Sequence, residues 1–569
     1  MDTSLFYVPP RARSEHNIDR GILAQDLTLV STDTVLRGRL GAASALGDLL
    51  ALAPPSSETC KLLQEALEAR SALQKCLGAV VAQRWAECVP SVSELLAIDA
   101  VRGVHATLLQ LLDTSMPPIY TEMHVLLQRM QHDCHVLGQM MVRDAHIARD
   151  RVPAISSPCT TADAQRLAET AAILAPSCTT VVEQSRKIQR AIEQHDATKE
   201  TQDVLVLAAV AGAVVAWGVL PPKLNPLIRS LMNSIKYEEN ADLQARAACS
   251  IARLVRLCTL PTAHANPSAK IVKNLCAFVC QDTSITPLFV ETKCEREGTG
   301  ALPVAPPSER RASAEPETLT PSRLIRRGAE CALMHLCQQF GAQIWDELPI
   351  LWTSAAEPLL HDAPMDDARG QALLDACSVL ECIAPHVHND LHESLASLLD
   401  ALVRVSQNEF RVLRGASARC FSVVTKCITD QGMHTLVEQV VPVLGSAELL
   451  CRQGAMEVVS CTVRVQDERL LPYVLFLVVP VLGRMNDSDE SIRLLATNTF
   501  AELVKLLPLI HGLPDPPHFS PALLARRETE KAFLAQLMDG SKVAPYKMPI
   551  EMKVQLRPYQ MDGVSWMAF

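Results

Sequence analysis

The sequence predicts an all-α protein in which antiparallel helix pairs stack one on the next into a solenoid, and three observations support this prediction. The chain of 569 residues is 48% hydrophobic but only 4% aromatic and has just 22 glycines, which suits closely stacked helices rich in Leu, Val and Ala. Strand signals are poor, because no sustained alternation of polar and apolar residues is flanked by Asn-Gly or Asp-Gly turns. A helix pair also recurs along the chain at near-constant spacing.

The clearest copy of this pair occupies residues 470–508. Its first half is apolar on nearly all sides from residue 474 to residue 482, as expected for a helix packed between neighbours. Its second half has helical spacing of apolar residues, including Ile492, Leu495 and Leu503. Residues 486–489, Asn-Asp-Ser-Asp, suit a turn and the N-cap of the second helix. The simplest product is an antiparallel helical hairpin.

An arginine followed two or three residues later by alanine marks the start of the second helix in each copy. The successive arginines are 42, 45, 38 and 41 residues apart, which is the period of HEAT and armadillo arrays. This spacing argues against a chance pattern in an Ala- and Leu-rich chain. The five copies are Arg327 with Ala329, Arg369 with Ala372, Arg414 with Ala416, Arg452 with Ala455 and Arg493 with Ala496.

The same local pattern occurs at Arg246 with Ala248 and at Arg39 with Ala42. Asp242 precedes Arg246 by four residues, and Asp489 precedes Arg493 by the same interval. This offset places each aspartate and its arginine on one helix face, where they can pair with each other or with the next repeat. We therefore predict that these aspartates, together with the arginines, define the repeat.

The chain divides into six predicted segments on composition and periodicity. Repeats fill most of it, and two proline-rich stretches interrupt them. The segments are residues 1–30, irregular; 31–282, helical repeats with a less regular helical insert at about 100–200; 283–322, a disordered proline-rich loop; 323–508, further repeats; 509–545, a proline-rich linker with a spacer helix from about Pro521 to Met538; and 546–569, a closing segment of different character.

Residues 204–220 form a run of 17 residues without a charge, at the lower edge of membrane-spanning length. The Ala- and Gly-rich makeup of this run, the Pro221-Pro222 stop and the repeat that follows favour a buried helix of the array. The expectation is therefore a protein without a membrane segment.

Charge content argues against a protein that binds nucleic acid through its overall charge, and cysteine content argues against a disulfide scaffold. The net charge is −10, with basic residues interspersed among acidic ones, so the surface is not built to hold nucleic acid by phosphate neutralisation alone, although a local basic patch stays open. The 19 cysteines are scattered along apolar helix faces with no CxxC pair. This pattern indicates buried free thiols in a reducing compartment.

One helix carries several residues that could ligate zinc: His124, His132, Cys134, His135 and His146. A structural zinc site takes ligands from two separate segments, and one straight helix cannot surround an ion. The prediction is an ordinary exposed helix face and no metal.

The last residues contain the pattern L-R-x-Y-Q-x-x-G-V-x-W, in which Gln560 stands between Tyr559 and Trp566. A glutamine side chain has both an amide donor and an acceptor, so it can read the edge of an adenine. A single glutamine is a weak signal by itself.

A resemblance to a known family gives this segment more weight. LRPYQMDGVSWMAF resembles the opening adenine-recognition segment of the chromatin-remodeller class of helicase-like ATPases. LPYVLFLVVPVLGRMNDSDESIRLLATNTFAELVKLLP, GLPDPP, FLAQLMDG, YKMPI and KLNPLIRSLMNSIKYEEN resemble segments of the TATA-binding-protein-associated ATPases, the B-TFIID-associated factor family. The likeness covers residues 200–280 and 320–569 well and residues 30–200 loosely.

The resemblance implies a HEAT array that grips TATA-binding protein and a motor that uses ATP and Mg²⁺ to remove that protein from DNA in the nucleus. Residues 546–569 would then be the truncated start of the ATPase domain, with Gln560 contacting nucleotide only when the whole motor is present. In this chain Gln560 is expected to lie in a disordered tail. The chain has no G-x-x-x-x-G-K-[ST] loop, so it is expected to need no cofactor and to hydrolyse no ATP.

The main grip on TATA-binding protein is expected in repeats that precede the matched part, and the chain is expected to be a monomer. Two alternatives stay open at this point. One is a HEAT scaffold, adaptor or transport-receptor-like protein with no motor. The other is a short form that competes with the full-length ATPase.

Overall fold

A computed structural model describes residues 32–113, 120–261, 266–292, 320–361, 363–510, 519–539, 543, 545–550 and 555–568. Within these ranges all regular secondary structure is helical and no strand occurs, which confirms the all-α prediction. Contacts divide the chain into two units, Met1–Ile271 with Leu319–Gln339 and Val272–Thr318 with Phe340–Phe569. The predicted irregular segment 1–30 lies outside the described residues.

The first unit is built around one long helix. Its helices are α1 (Thr32–Leu52), α2 (Ser57–Glu68), α3 (Ala72–Cys88), α4 (Val92–Leu96), α5 (Asp99–Asp113), α6 (His124–Arg143), α7 (Thr161–Leu174), α8 (Thr179–Trp217), α9 (Asn225–Tyr237), α10 (Ala241–Thr259) and α12 (Pro321–Phe340), while α11 (Ser268–Val279) begins in this unit and continues into the second.

Helix α8 is 39 residues long and begins well before the apolar run at residues 204–220. It packs against α3, α5, α6, α7, α9 and α10. By length and composition it is the one described helix that could cross a membrane, but 61% of its apolar window is buried within the protein. The predicted buried helix is therefore confirmed, although it ends at Trp217, before the two prolines. Gly218 ends it, with φ +72° and an amide that donates to the Val215 carbonyl.

A pair of tryptophans fixes α3 and α5 on the end of α8. Trp85 and Trp217 meet edge to face with ring centroids 5.8 Å apart, and the His105 ring lies 5.9 Å from Trp217. Both tryptophans are almost fully buried. Large aromatic side chains bury much area, so a chain with few aromatics concentrates them at such junctions.

The second unit consists of successive helix pairs. Its helices are α13 (Ile344–Glu347), α14 (Pro349–Ala355), α15 (Glu357–Leu360), α16 (Asp367–Ile383), α17 (His392–Ala396), α18 (Leu399–Ser406), α19 (Arg411–Cys427), α20 (Thr429–Thr435), α21 (Val441–Val443), α22 (Leu449–Val465), α23 (Val474–Arg484), α24 (Glu490–Leu506), α25 (Pro521–Met538) and α26 (Pro558–Ala568).

The second helices of the pairs are equivalent in length and order. Helices α16, α19, α22 and α24 each have 17 residues, and each packs against the next. The first helices, such as α18 and α23, pack against the second helix of their own pair. Stacking of this kind is what defines a HEAT-like α-solenoid, and it confirms the predicted fold class.

Part of the predicted disordered loop is an ordered strap. Its residues 293–319 lie outside the described residues, but residues 283–292 pack along α16. Phe289 N–H donates to Gln371 Oε1 at 2.8 Å, the Thr286 and Ser378 hydroxyls are 2.6 Å apart, and the Phe289 ring lies over Gly370 and 5.0 Å from Phe410. The predicted boundary at residue 283 is thus too early, because a few buried side chains suffice to hold an extended segment without periodicity.

Candidate functional site

Three arginines of the second unit fasten the turn that precedes their own helix. In each, Nη1 donates to the backbone carbonyls six and five residues earlier. Carbonyls in a turn have no ladder partner, and the planar guanidinium presents several donors in one plane. The bonds run from Arg414 to Asn408 and Glu409 at 3.0 and 3.0 Å, from Arg452 to Ser446 and Ala447 at 3.0 and 2.9 Å, and from Arg493 to Asp487 and Ser488 at 2.8 and 3.0 Å.

We call these three the turn arginines. All three occupy the fourth position of helices α19, α22 and α24. The identity of geometry in three successive pairs explains why the motif recurs with near-constant spacing. The arginine holds the turn that joins the two helices of a pair.

Arg327 and Arg369 hold turns in other ways. Arg327 reaches from α12 to the turn of an earlier pair, where Nη2 donates to the carbonyls of Glu239 at 2.8 Å and Glu238 at 3.3 Å. Its Nε also donates to Gln244 Oε1 at 2.6 Å. Arg369 donates from Nη2 to the carbonyl of His361.

The aspartates do not pair with the arginines four residues later. Among the described residues, no ion pair joins Asp242 to Arg246 or Asp489 to Arg493. Asp242 accepts from Arg37 Nε at 3.1 Å, and Arg246 Nη2 donates to Ser44 Oγ at 2.6 Å, so both contact α1. Asp489 instead caps α24, with Oδ1 accepting from Ile492 N–H at 3.1 Å. This N-cap was predicted and is confirmed.

Asp487, which the sequence indicated only as a turn residue, binds two arginines. Arg452 binds it in bidentate fashion, with Nε and Nη2 at 3.0 and 3.2 Å, and Arg484 Nη1 adds a third contact at 3.0 Å. The carboxylate side chain is only 2% exposed. Burial would raise the pKa of Asp487, but the Asp489 amide and the guanidinium of Arg452 together outweigh burial and lower that pKa. Arg452 therefore joins two successive pairs as well as closing its own turn.

The preceding pair has a weaker version of the same link. Arg414 Nε lies 3.8 Å from Glu457 Oε1 on α22, and the two side chains are 1% and 10% exposed. Burial raises the pKa of Glu457 to about 7, although Arg414, Arg411 and Arg419 oppose the rise. A signal for such links exists in the sequence only as acidic residues about 35 to 43 positions after a turn arginine.

The spacer helix α25 is attached to the last helix pair. The ring of Phe519, just before α25, lies 5.4 Å from Tyr473 and 5.5 Å from Phe476. Helix α25 itself packs against α23. Part of the predicted linker, residues 511–518, lies outside the described residues, but its helix was predicted at the bounds that the structure shows, Pro521–Met538.

Gln560 lies in helix α26, so the expectation of a disordered tail is wrong for this part of the chain. The Gln560 Oε1 accepts from Arg557 N–H at 3.1 Å, and the residue is exposed. Tyr546 N–H donates to the buried Ser565 hydroxyl at 2.9 Å and ties the preceding extended segment to the helix. Pro558 at the first position of α26 is a local signal in the sequence for the start of this helix.

The candidate zinc ligands do not converge. His124, His132, Cys134 and His135 lie on α6, and His146 follows it. Cys134 is fully buried in an apolar cluster with Cys159, and burial raises the pKa of its thiol to about 12. Among the residues that the structure describes, no three His, Cys, Asp or Glu side chains are arranged to hold a metal ion.

The repeated pairs and their turn arginines define the class of this protein, a HEAT-repeat α-solenoid. Comparison with known families agrees. Residues 358–510 match a family of HEAT repeats described as stalled ribosome sensor GCN1-like, and residues 8–354 match a domain of unknown function, DUF3535. The chain belongs to the DUF3535 family, and its curated relatives are TATA-binding protein-associated factors.

Three of those relatives show the extent of the match. The chain is 33% identical to TATA-binding protein-associated factor mot1 of Aspergillus fumigatus, over 99% of the chain and 31% of the relative. It is 32% identical to the human TATA-binding protein-associated factor 172, over 94% of the chain and 33% of the relative. It is 30% identical to MOT1 of Saccharomyces cerevisiae, over 99% and 32%. The chain thus spans about a third of the length of these relatives.

Proposed function

We propose that this chain is the HEAT-repeat arm of an ATP-dependent remover of TATA-binding protein, and that it links the partner to a motor. The relatives carry TATA-binding protein in their names. The motor is proposed because residues 556–569 resemble the opening segment of helicase-like ATPases. The complete protein would use ATP and Mg²⁺, act on DNA and work in the nucleus. By itself the chain hydrolyses no ATP, since its sequence has no phosphate-binding loop.

The attachment of α25 supports this proposal most strongly. A motor that follows α26 can transmit force to the array only if the connection resists bending. Phe519 provides such a connection, because its ring packs between Tyr473 and Phe476 of the last pair. The last pair is in turn joined to the preceding one, because Arg452 on α22 binds Asp487 in the turn between α23 and α24.

A substitution at Phe519 in a complete protein that contains both this chain and a motor tests the proposal. Phe519→Ala removes the ring and should leave DNA-stimulated ATP hydrolysis intact, while fewer TATA-binding protein molecules leave DNA per ATP hydrolysed. Leu509→Ala is the matched control, because Leu509 is 59% exposed and its loss should change neither quantity. Equal release per ATP in the Phe519 variant and in the unsubstituted protein would contradict the arm.

A short form that competes with the full-length ATPase is the alternative, and a pull-down separates it from the arm. The purified chain is incubated with TATA-binding protein with and without promoter DNA. Under the proposed function, binding is weak, because the main grip lies in other repeats. Tight binding that also blocks a full-length family ATPase in trans would favour a competing short form.

A further inference from the structure

A cleft of about 930 Å³ opens within the first unit, outside every feature used above. It lies between the end of α5, the middle of α8 and the start of α9, with α3 contributing to its lining. Its apolar lining includes Leu111, Leu112, Val204 and Leu207. This volume is in the range of roughly 300 to 1,000 Å³ typical of ligand-binding clefts.

Lys75 lines this cleft as a buried cation that forms no ion pair with any of the residues that the structure describes. The residue is only 5% exposed, yet no carboxylate of the described chain comes within ion-pair distance, and no hydrogen bond to its ammonium is present there. Burial lowers the pKa of Lys75, while Glu68 acts in the opposite direction. Lysine is almost never buried unless it is paired, so an anion brought into the cleft would find a ready partner.

The N-terminus of α9 lines the same cleft and is equally open to an anion. Leu224 stands at the N-cap and makes no side-chain capping bond, and the first turn of this 13-residue helix contains no acidic residue. Asn225 and Pro226 of that turn, and Arg229 one turn on, line the cleft. Uncapped amides and the positive end of the helix dipole favour negative charge at this position.

The surrounding charges select a carboxylate over a phosphate. The cleft is also lined by Asp113, Asp196, Glu200 and Asp203. Asp203 is engaged by Lys199 at 3.3 Å and by the Tyr120 hydroxyl at 2.9 Å, and Asp196 lies 3.0 Å from His195 Nδ1. Against these four acids the lining has three cations, Lys75, Lys199 and Arg229, so a dianion is repelled more strongly than a single carboxylate. A carboxylate with an apolar body also matches the apolar lining.

We propose that this cleft binds a segment of a partner protein that places one Asp or Glu carboxylate between Lys75 and the N-terminus of α9, with flanking apolar side chains against Leu111 and Leu207. The site lies in the first unit and is independent of the motor connection. It would give this part of the array a peptide-docking function of its own.

Calorimetric titration of the whole chain with two capped peptides tests the site. The probes are acetyl-Ala-Leu-Glu-Leu-Ser-amide and the same peptide with Gln in place of Glu. The Glu peptide should bind at least tenfold more tightly. Lys75→Met should abolish this preference while the melting temperature stays the same or rises, because the substitution removes an unpaired buried charge. Lys61→Met, on an exposed face of α2, should keep the preference.

A second variant and a second ligand keep the outcome decisive. Leu224→Asp puts a carboxylate at the N-terminus of α9 and should also weaken binding of the Glu peptide at least tenfold. Equal affinity for the two peptides, or an unchanged preference in both variants, would overturn the site. Tighter binding of inorganic phosphate than of the Glu peptide would overturn the choice of a carboxylate.

Discussion

The turn arginines of the second unit and the corresponding arginines of the first unit carry the same short motif but bind different partners. In the second unit, Arg414 and Arg452 hold carbonyls five and six residues earlier in their own turn. In the first unit, Arg327 holds carbonyls 88 and 89 residues earlier, and Arg246 binds Ser44 on another helix. The motif thus marks an arginine in the first two turns of a helix, but it predicts neither the exact position of that arginine nor what it binds.

The position equivalent to a turn arginine explains the difference. It is the fourth residue of the second helix, and in α10 that residue is Gln244. The carbonyls six and five residues before it belong to Glu238 and Glu239, and these are the ones that Arg327 binds from α12. Arg327 also binds Gln244 itself. An arginine from α12 therefore supplies the contact that the local position lacks.

The largest expected effect comes from Arg452. Arg452→Met removes the bidentate guanidinium from the buried carboxylate of Asp487, leaves it the single contact with Arg484 Nη1 and the Asp489 amide, and opens the turn at residues 446–447. We expect a loss of about 3 kcal/mol in the opening free energy of the second unit, near the lower end of the cost of removing one buried ionic partner. Hydrogen exchange measures the two units separately. Arg246→Met, the control in the first unit, should cost about 1 kcal/mol, and equal losses would erase the contrast.

The second largest loss of stability is expected where two helices approach closely. A Cβ on Gly454 would lie 1.8 Å from the Ser406 carbonyl oxygen of the preceding pair, whereas on Gly415 it would meet only Arg419 Nη1 at 3.9 Å. Gly454→Ala should therefore destabilise the second unit by about 2 kcal/mol through overpacking. Gly415→Ala should be neutral or stabilising by up to about 1 kcal/mol, since alanine favours a helix interior. Thermal unfolding of both variants checks this, and a stable Gly454 variant would refute the stacking.

Glu457 in the second unit and Glu238 in the first are buried glutamates with raised pKa values. Burial raises the pKa values of Glu457 and Glu238 to about 7 from the ordinary 4.5. Between pH 4.5 and 7 the folded state keeps a proton that the unfolded state has released. The free energy of unfolding should therefore fall as pH rises through this window, by up to about 1.4 kcal/mol per pH unit for each group.

Glutamine substitution assigns this pH dependence to a unit. Glu457→Gln should flatten the dependence for the second unit and leave that of the first unchanged, and Glu238→Gln should do the reverse. Hydrogen exchange at pH 5, 6 and 7 gives the opening free energy of each unit. An unchanged slope in the unit that carries the substitution would refute a raised pKa at that glutamate.

Helix capping gives the smallest effect. Asp489 caps α24 in the second unit and Asn240 caps α10 in the first, each through a side-chain oxygen on the backbone N–H three residues later. Asp489→Ala and Asn240→Ala should each cost about 1 kcal/mol in their own unit. A much larger loss at Asp489 would mean that the cap also supports Asp487 and its link to Arg452. Chemical denaturation followed by hydrogen exchange measures both.

The sequence predicted the helix pairs well because their signals are local. Apolar periodicity, the N-cap at Asp489 and the start of α25 at Pro521 are each set within a few residues. The contacts of the repeats were not predictable in this way. Asp487 was visible only as a turn residue, since its role depends on Arg452, 35 residues earlier.

The unexpected partner of Arg246 and the late start of the loop after residue 283 have the same cause. A single helix face does not show whether an arginine bends back to its own turn or reaches another helix. The strap at residues 283–292 has no periodicity, and only the groove beside Gly370 gives Phe289 a place. The cleft at Lys75 likewise joins residues of four helices that are far apart in the sequence.

The most direct test of the arm measures how many TATA-binding protein molecules leave DNA for each ATP hydrolysed by a complete protein that contains this chain and a motor. With Arg452→Met the array loses its link to Asp487, so release per ATP should drop severalfold while the ATPase rate with DNA is unchanged. Release per ATP equal to that of the unsubstituted protein would contradict the claim that these linked helix pairs carry the motion.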